Sequence, residues 1–215
     1  MNEQLLKDPE DIIKKSKLKI FYDKNKKIII TIFLLIIIFG ISLSFYSDYQ
    51  KKSKIKISEN YINAKILLEN NKENDALKTL KEIVFSNDNT YASLSLFMII
   101  NENLIKDLIE LNALLDHLIF NHNYDAEIKN LLIYKKSLLN AETINESEIL
   151  DALLPILNSN SLWKINALFL LGDYFIFNNE YTKAKEFYAK ILSIEGLSDD
   201  YYRRASSKLA ITLND

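Results

Sequence analysis

The sequence predicts an all-α protein: a single N-terminal transmembrane helix, then an α-solenoid of about four helical hairpins with a C-terminal cap helix. Three observations carry this reading. An uncharged, apolar run spans Ile28 to Tyr46. Beyond it, apolar residues recur at three- and four-residue spacing, and no segment reads as a strand. The breaks between the periodic stretches are short, and short connections join antiparallel helices.

Residues 1–27 form a polar tail read as cytoplasmic. Asp8-Pro9-Glu10-Asp11 has the form of a helix start, with Asp8 as N-cap and Pro9 at the first helical position. Ile12, Ile13 and Leu18 then alternate with lysines. Two readings stand for this tail: a short amphipathic helix on an anionic membrane surface, or a frayed solubilising segment.

Residues 28–46 are the transmembrane helix. Nineteen helical residues span about 28 Å, close to the ~30 Å hydrocarbon thickness of a bilayer. The run has no polar face, as a surface helix would. Tyr46 and Tyr49 at one end, and Phe21 and Tyr22 near the other, suit the membrane interfaces. Seven lysines lie between Lys14 and Lys27 and four between Lys51 and Lys56. This asymmetry puts the N-terminus in the cytoplasm and residues 47–215 outside. A cleaved signal peptide is the competing reading, with Ser42 and Ser44 as a small-x-small site. The long charged leader and the length of the apolar run speak against it.

Residues 47–57 are expected as a polar linker and residues 58–215 as a helical repeat domain. Helices are expected at 58–70, 73–86, 90–101, 104–120, 124–141, 146–158, 161–178, 181–194 and 198–213. Asparagine clusters mark most breaks: Asn70-Asn71, Asn101-Glu102-Asn103, Asn121-His122-Asn123, Asn158-Ser159-Asn160 and Asn178-Asn179. Asparagine tolerates the left-handed conformation and so ends helices well.

The window from Leu168 to Gly196 fits the tetratricopeptide pattern. Leu171-Gly172 matches its Leu-Gly pair, Phe175 an aromatic position, Ala184 the small residue of the second helix, and Tyr188 the next aromatic. Gly172 and Ala184 are expected where the two backbones approach, because a large side chain there would force them apart. Ala64 and Ala76 repeat the spacing of twelve earlier in the chain. The hairpins at 90–120 and 124–158 keep no small-residue pair. The final helix carries Asp199, Asp200, Arg203, Arg204 and Lys208, the polar positions of a solenoid cap.

Composition narrows function by exclusion. Residues 47–215 carry 19 basic and 24 acidic groups, a net −5, so a phosphate-binding surface for nucleic acid is not expected. Cysteine is absent, which removes disulfide and thiol chemistry. Three glycines cannot build a phosphate-cradling loop, and no nucleophile-elbow motif occurs. His117 and His122 are five residues apart, a spacing that does not place both on one helical face, so they are read as polar loop-edge residues. No catalytic residue, cofactor, metal or small-molecule substrate is expected. Trp163 is read as core packing rather than a ligand platform. Tyr61, Tyr91, Phe97, Tyr134, Phe169 and Tyr174 on first helices admit two roles: core packing, or the lining of a groove for a peptide.

The layout resembles the ancillary SecYEG translocon subunit, or YfgM-like tetratricopeptide repeat-like domain family. The resemblance rests on Tyr49-Gln50-Lys51 after the apolar run, Asn89-Thr90-Tyr91-Ala92-Ser93-Leu94 opening the second hairpin, Trp163 before Leu171-Gly172, and the terminal helix. It implies a single-pass protein of the bacterial inner membrane with a periplasmic repeat domain. It further implies protein partners, namely translocon subunits and periplasmic chaperones. A cell-envelope scaffold unrelated to the translocon is the alternative.

Overall fold

The structure is a computed structural model that describes the backbone of residues 9–212 and the side chains of residues 19–28 and 30–212. The Asp8 cap and the side chains of Ile12, Ile13 and Leu18 lie outside the described residues. Among the described residues the chain forms nine helices and no strand. It divides into two compact units at Lys56–Ile57.

The described residues of the first unit belong to α1 (Pro9–Glu69). This helix is long and apolar enough to cross a membrane, and none of its most apolar window is buried by protein. Phe33 and Phe39 are 63% and 66% exposed, values that a helix packed on protein would not keep. The hydroxyl of Thr31 donates to the Lys27 carbonyl at 2.9 Å, so that polar group is satisfied within the helix. Residues 47–57, expected as a polar linker, are helical and belong to α1. The reason is local: the stretch holds neither glycine nor proline, and its lysines and isoleucines leave the ladder unbroken.

The second unit begins in the last turns of α1. It continues with α2 (Glu73–Val84), α3 (Asn89–Asn101), α4 (Leu108–Asn121), α5 (Ala126–Asn140), α6 (Glu146–Leu157), α7 (Lys164–Phe177), α8 (Tyr181–Leu192) and α9 (Asp199–Ile211). Consecutive helices pair as four hairpins, and α9 packs on α8. Three hairpin turns share one device. Asn71, Asn103 and Asn179 take positive φ of 58°, 50° and 62°. In each, the next residue's N–H reaches back to the carbonyl five earlier: Lys72 to Leu67, Leu104 to Ile99, and Glu180 to Phe175. This is the Schellman closure, and asparagine supplies its left-handed residue. Helix starts are held by side chains: Asp88, Asp107 and Asp125 accept backbone N–H bonds, and Asn145 forms a capping box with Glu148. Asp107 starts α4 at Leu108 rather than at 104, leaving residues 104–107 as a connection.

Two apolar cores flank α5. One gathers Ala64, Leu80, Val84, Leu96, Leu115 and Leu132 among others. The other gathers Ile149, Leu153, Leu171, Phe175, Tyr188 and Ala205 among others. Ile133 of α5 packs against both. Ion pairs join neighbouring second helices at two places, Lys81 of α2 with Glu110 of α4, and Lys183 of α8 with Glu146 of α6 at 2.7 Å.

Candidate functional site

In the last hairpin α7 and α8 approach closely at Gly172. A Cβ built on Gly172 would lie 2.5 Å from Cε1 of Tyr188, so this position of α7 accepts no side chain without movement. The nearest atoms there belong to Tyr188, which lies one turn beyond Ala184 on the same face of α8. Tyr188 is fully buried, and its hydroxyl donates to Asp173 at 2.6 Å. Lys208 of α9 donates to the same carboxylate oxygen at 2.8 Å. One carboxylate thus couples three helices. Burial, and then the Asp173 carboxylate, hold the Tyr188 phenol far above its ordinary pKa, so it stays a donor. Leu171, Phe175 and Ala184 are buried around this contact, and Ala64 and Ala76 have no exposed surface in the first hairpin.

The aromatic residues considered as a groove are placed differently. Phe169 and Tyr174 are 2% and 8% exposed and take the core-packing of their two expected roles. Phe169 is covered by the rings of Tyr188 and Tyr201 and by the Arg204 guanidinium, 4.2 Å from its centroid. Tyr174 turns inward because its hydroxyl donates to the Ile144 carbonyl at 3.2 Å. The half-buried rings join successive first helices. Tyr61 meets Tyr91 at 5.6 Å, Tyr91 donates to Ser58 at 3.0 Å, and Tyr134 stacks on Trp163 at 5.8 Å. Phe97 packs on the first core. These rings act mainly as joints between hairpins.

The two histidines meet despite their spacing. α4 ends at Asn121, and His122 turns to extended backbone with φ −106° and ψ 143°. Its ring then stands 5.5 Å from that of His117 and stacks on Tyr124 at 5.5 Å. Asn89 orients the group. Its amide donates to the Asn123 carbonyl at 2.8 Å, so its oxygen accepts from His122 Nδ1 at 2.9 Å. Burial, followed by the neighbouring His117, lowers the His122 pKa. Among the described residues, no three metal-ligating side chains gather here or elsewhere.

A cleft of about 430 Å³ opens between α4, α5 and α6. Ile119, Phe120, Ile133 and Ile144 give it an apolar lining. In the same cleft Asn112 and Asn140 exchange two amide bonds of 2.7 Å, and Lys136 of α5 pairs with Asp116 of α4 at 2.6 Å. Sequence reasoning missed this cleft. Its one available signal is Phe120, an aromatic residue off the buried stripe of Leu111, Leu114, Leu115 and Leu118 and 75% exposed.

No protein-family model matches the chain, and no solved structure matches it. The chain is similar to a protein of Buchnera aphidicola subsp. Schizaphis graminum (strain Sg) named "Ancillary SecYEG translocon subunit". The two are 29% identical over 169 residues, which cover 75% of this chain and 84% of the relative. This similarity supports the family relationship read from the motifs: a chain with an apolar N-terminal helix and helical hairpins is a relative, in sequence, of an ancillary SecYEG translocon subunit.

Proposed function

We propose that this protein is a membrane-anchored binding module that holds a tetratricopeptide-like domain beside the SecYEG translocon, on the periplasmic side of a bacterial inner membrane. Its partners on this reading are translocon subunits and periplasmic chaperones, and it performs no catalysis. The observation that carries the reading is the similarity to a relative of that name over most of both chains. Three further features support it: the apolar helix, the lysine asymmetry around it, and a repeat unit whose side-chain clusters serve packing. Anchoring raises the effective concentration of a binding surface near membrane partners without any new contact.

Two measurements test this. A compartment-sensitive reporter fused after Asp215 should report the periplasm; a cytoplasmic signal would sink the topology. Crosslinking in native membranes with mass spectrometry should recover translocon or chaperone subunits. A partner set that excludes them would favour the envelope-scaffold reading instead.

A further inference from the structure

We infer that a second cleft, between the C-terminal ends of α6 and α8 and the start of α7, binds a segment of a partner protein that sets a carboxylate beside apolar side chains. The inference rests on the protein-binding reading above and deepens it by naming the face and the chemistry. The cleft forms where one kind of contact stops. Lys183 and Glu146 clasp the first turns of α8 and α6 at 2.7 Å, but among the described residues no ion pair joins their last turns. Leu154 and Leu157 of α6 line a cleft there, with Lys190 and Ser193 on the α8 side. Its volume of about 400 Å³ falls within the roughly 300–1,000 Å³ of ligand pockets, room for a few projecting side chains. Leu168 and Phe187 are 5% and 9% exposed and form its apolar floor, while Leu154 is 50% exposed.

Charge selects the partner. The chain beyond the apolar run is net −5, yet this cleft is lined by two lysines, Lys164 and Lys190, and by no carboxylate. Neither lysine makes an ion pair among the described residues. Lys164 is half-buried, a setting in which a cation gains from a counter-ion. Lys190 holds its ammonium 4.7 Å from the centre of the Phe187 ring, beside the apolar floor. Asp151 of α6 and Glu186 of α8 each lie one turn from a lining residue, but both are exposed and pair with neither lysine. A carboxylate from outside therefore meets a cationic lining that holds no anion of its own.

Two polar side chains favour a polypeptide over a fatty acid. Asn158 lines the cleft, and its amide makes no hydrogen bond among the described residues. The Ser193 hydroxyl donates to the Lys190 carbonyl at 2.8 Å, which leaves its oxygen to accept. Both can serve the backbone groups of a bound segment, whereas an acyl chain offers them nothing.

The test uses the full chain in zwitterionic nanodiscs, with empty discs as background. The probe is a fluorescein-labelled amphipathic peptide with leucine on one face and glutamate beside it, compared with its glutamine counterpart by anisotropy. The glutamate peptide should bind about tenfold more tightly than the glutamine peptide. Lys164→Gln combined with Lys190→Gln should abolish that preference, and Leu154→Ser should weaken both peptides about tenfold while helix content is unchanged. No binding, or binding indifferent to peptide charge and to these substitutions, would overturn the inference. So would laurate that displaces the glutamate peptide and binds as tightly, which would assign the cleft to an anionic amphiphile. Self-association removed by Leu154→Ser with peptide affinity unaltered would assign it to a second copy of the chain and overturn the inference too. Recovery of translocon or chaperone subunits by crosslinking, with no peptide binding, would reject the cleft and leave the tethering reading intact. Peptide binding without those subunits would do the reverse.

Discussion

The last hairpin and the α4–α5 joint solve one packing problem by different means. In the last hairpin the backbone of α7 comes against the ring of Tyr188 because Gly172 lacks a side chain. At the α4–α5 joint no glycine is present, and the helices are held by paired amides and an ion pair, Asn112–Asn140 and Lys136–Asp116. Close apolar contact demands particular small and large residues at fixed spacing, so it leaves a motif. Polar contacts depend on which side chains happen to face one another, so they leave none. One architecture thus appears in the sequence as a clear repeat at one end and as a blank in the middle.

Substitutions can break this contrast. Tyr188→Ala should cost most, about 3–5 kcal/mol, since it empties a fully buried site and leaves Asp173 with Lys208 as its one remaining side-chain partner. Urea unfolding of the detergent-solubilised chain, followed by the fluorescence of Trp163, measures it. Gly172→Ala should cost roughly 1–3 kcal/mol although alanine is the better helix former, because overpacking outweighs propensity here. Its cost should vanish in the Tyr188→Ala background; additive costs would show that the two do not touch. At the polar joint, Asn140→Ala should cost about 1–2 kcal/mol by stranding Asn112, while replacing both by leucine should be near neutral. A double replacement as harmful as the single one would make the joint a matter of shape rather than pairing.

The smallest effect concerns pH. The His122 pKa is lowered from the ordinary histidine value of 6.5, so the unfolded chain binds its proton first as pH falls. Stability is therefore complete above pH 6.5 and declines through the window just below it, down to the lowered folded value. His122→Asn should flatten that slope, as read by melting temperature across the window.

Much of the fold was legible because its punctuation is local. Asn71, Asn103 and Asn179 end helices through their own backbone conformation, and the asparagine clusters announced them. The turn between α5 and α6 carries no such residue; its Ala141 is right-handed. The site was less legible. Tyr61, Tyr91 and Tyr134 looked alike in the sequence to Phe169 and Tyr174, yet only a neighbouring helix decides which ring is covered. The histidines misled for a related reason: a spacing rule for helices fails once His122 leaves the helix.

The ion pairs between second helices have a mechanical consequence. Lys81–Glu110 clasps α2 to α4 and Lys183–Glu146 clasps α6 to α8, whereas among the described residues no ion pair spans α4 and α6. The row therefore carries one clasp on either side of the α4–α5 contact, which paired amides and its own ion pair hold instead. Because the clasps are partly exposed, added salt softens them.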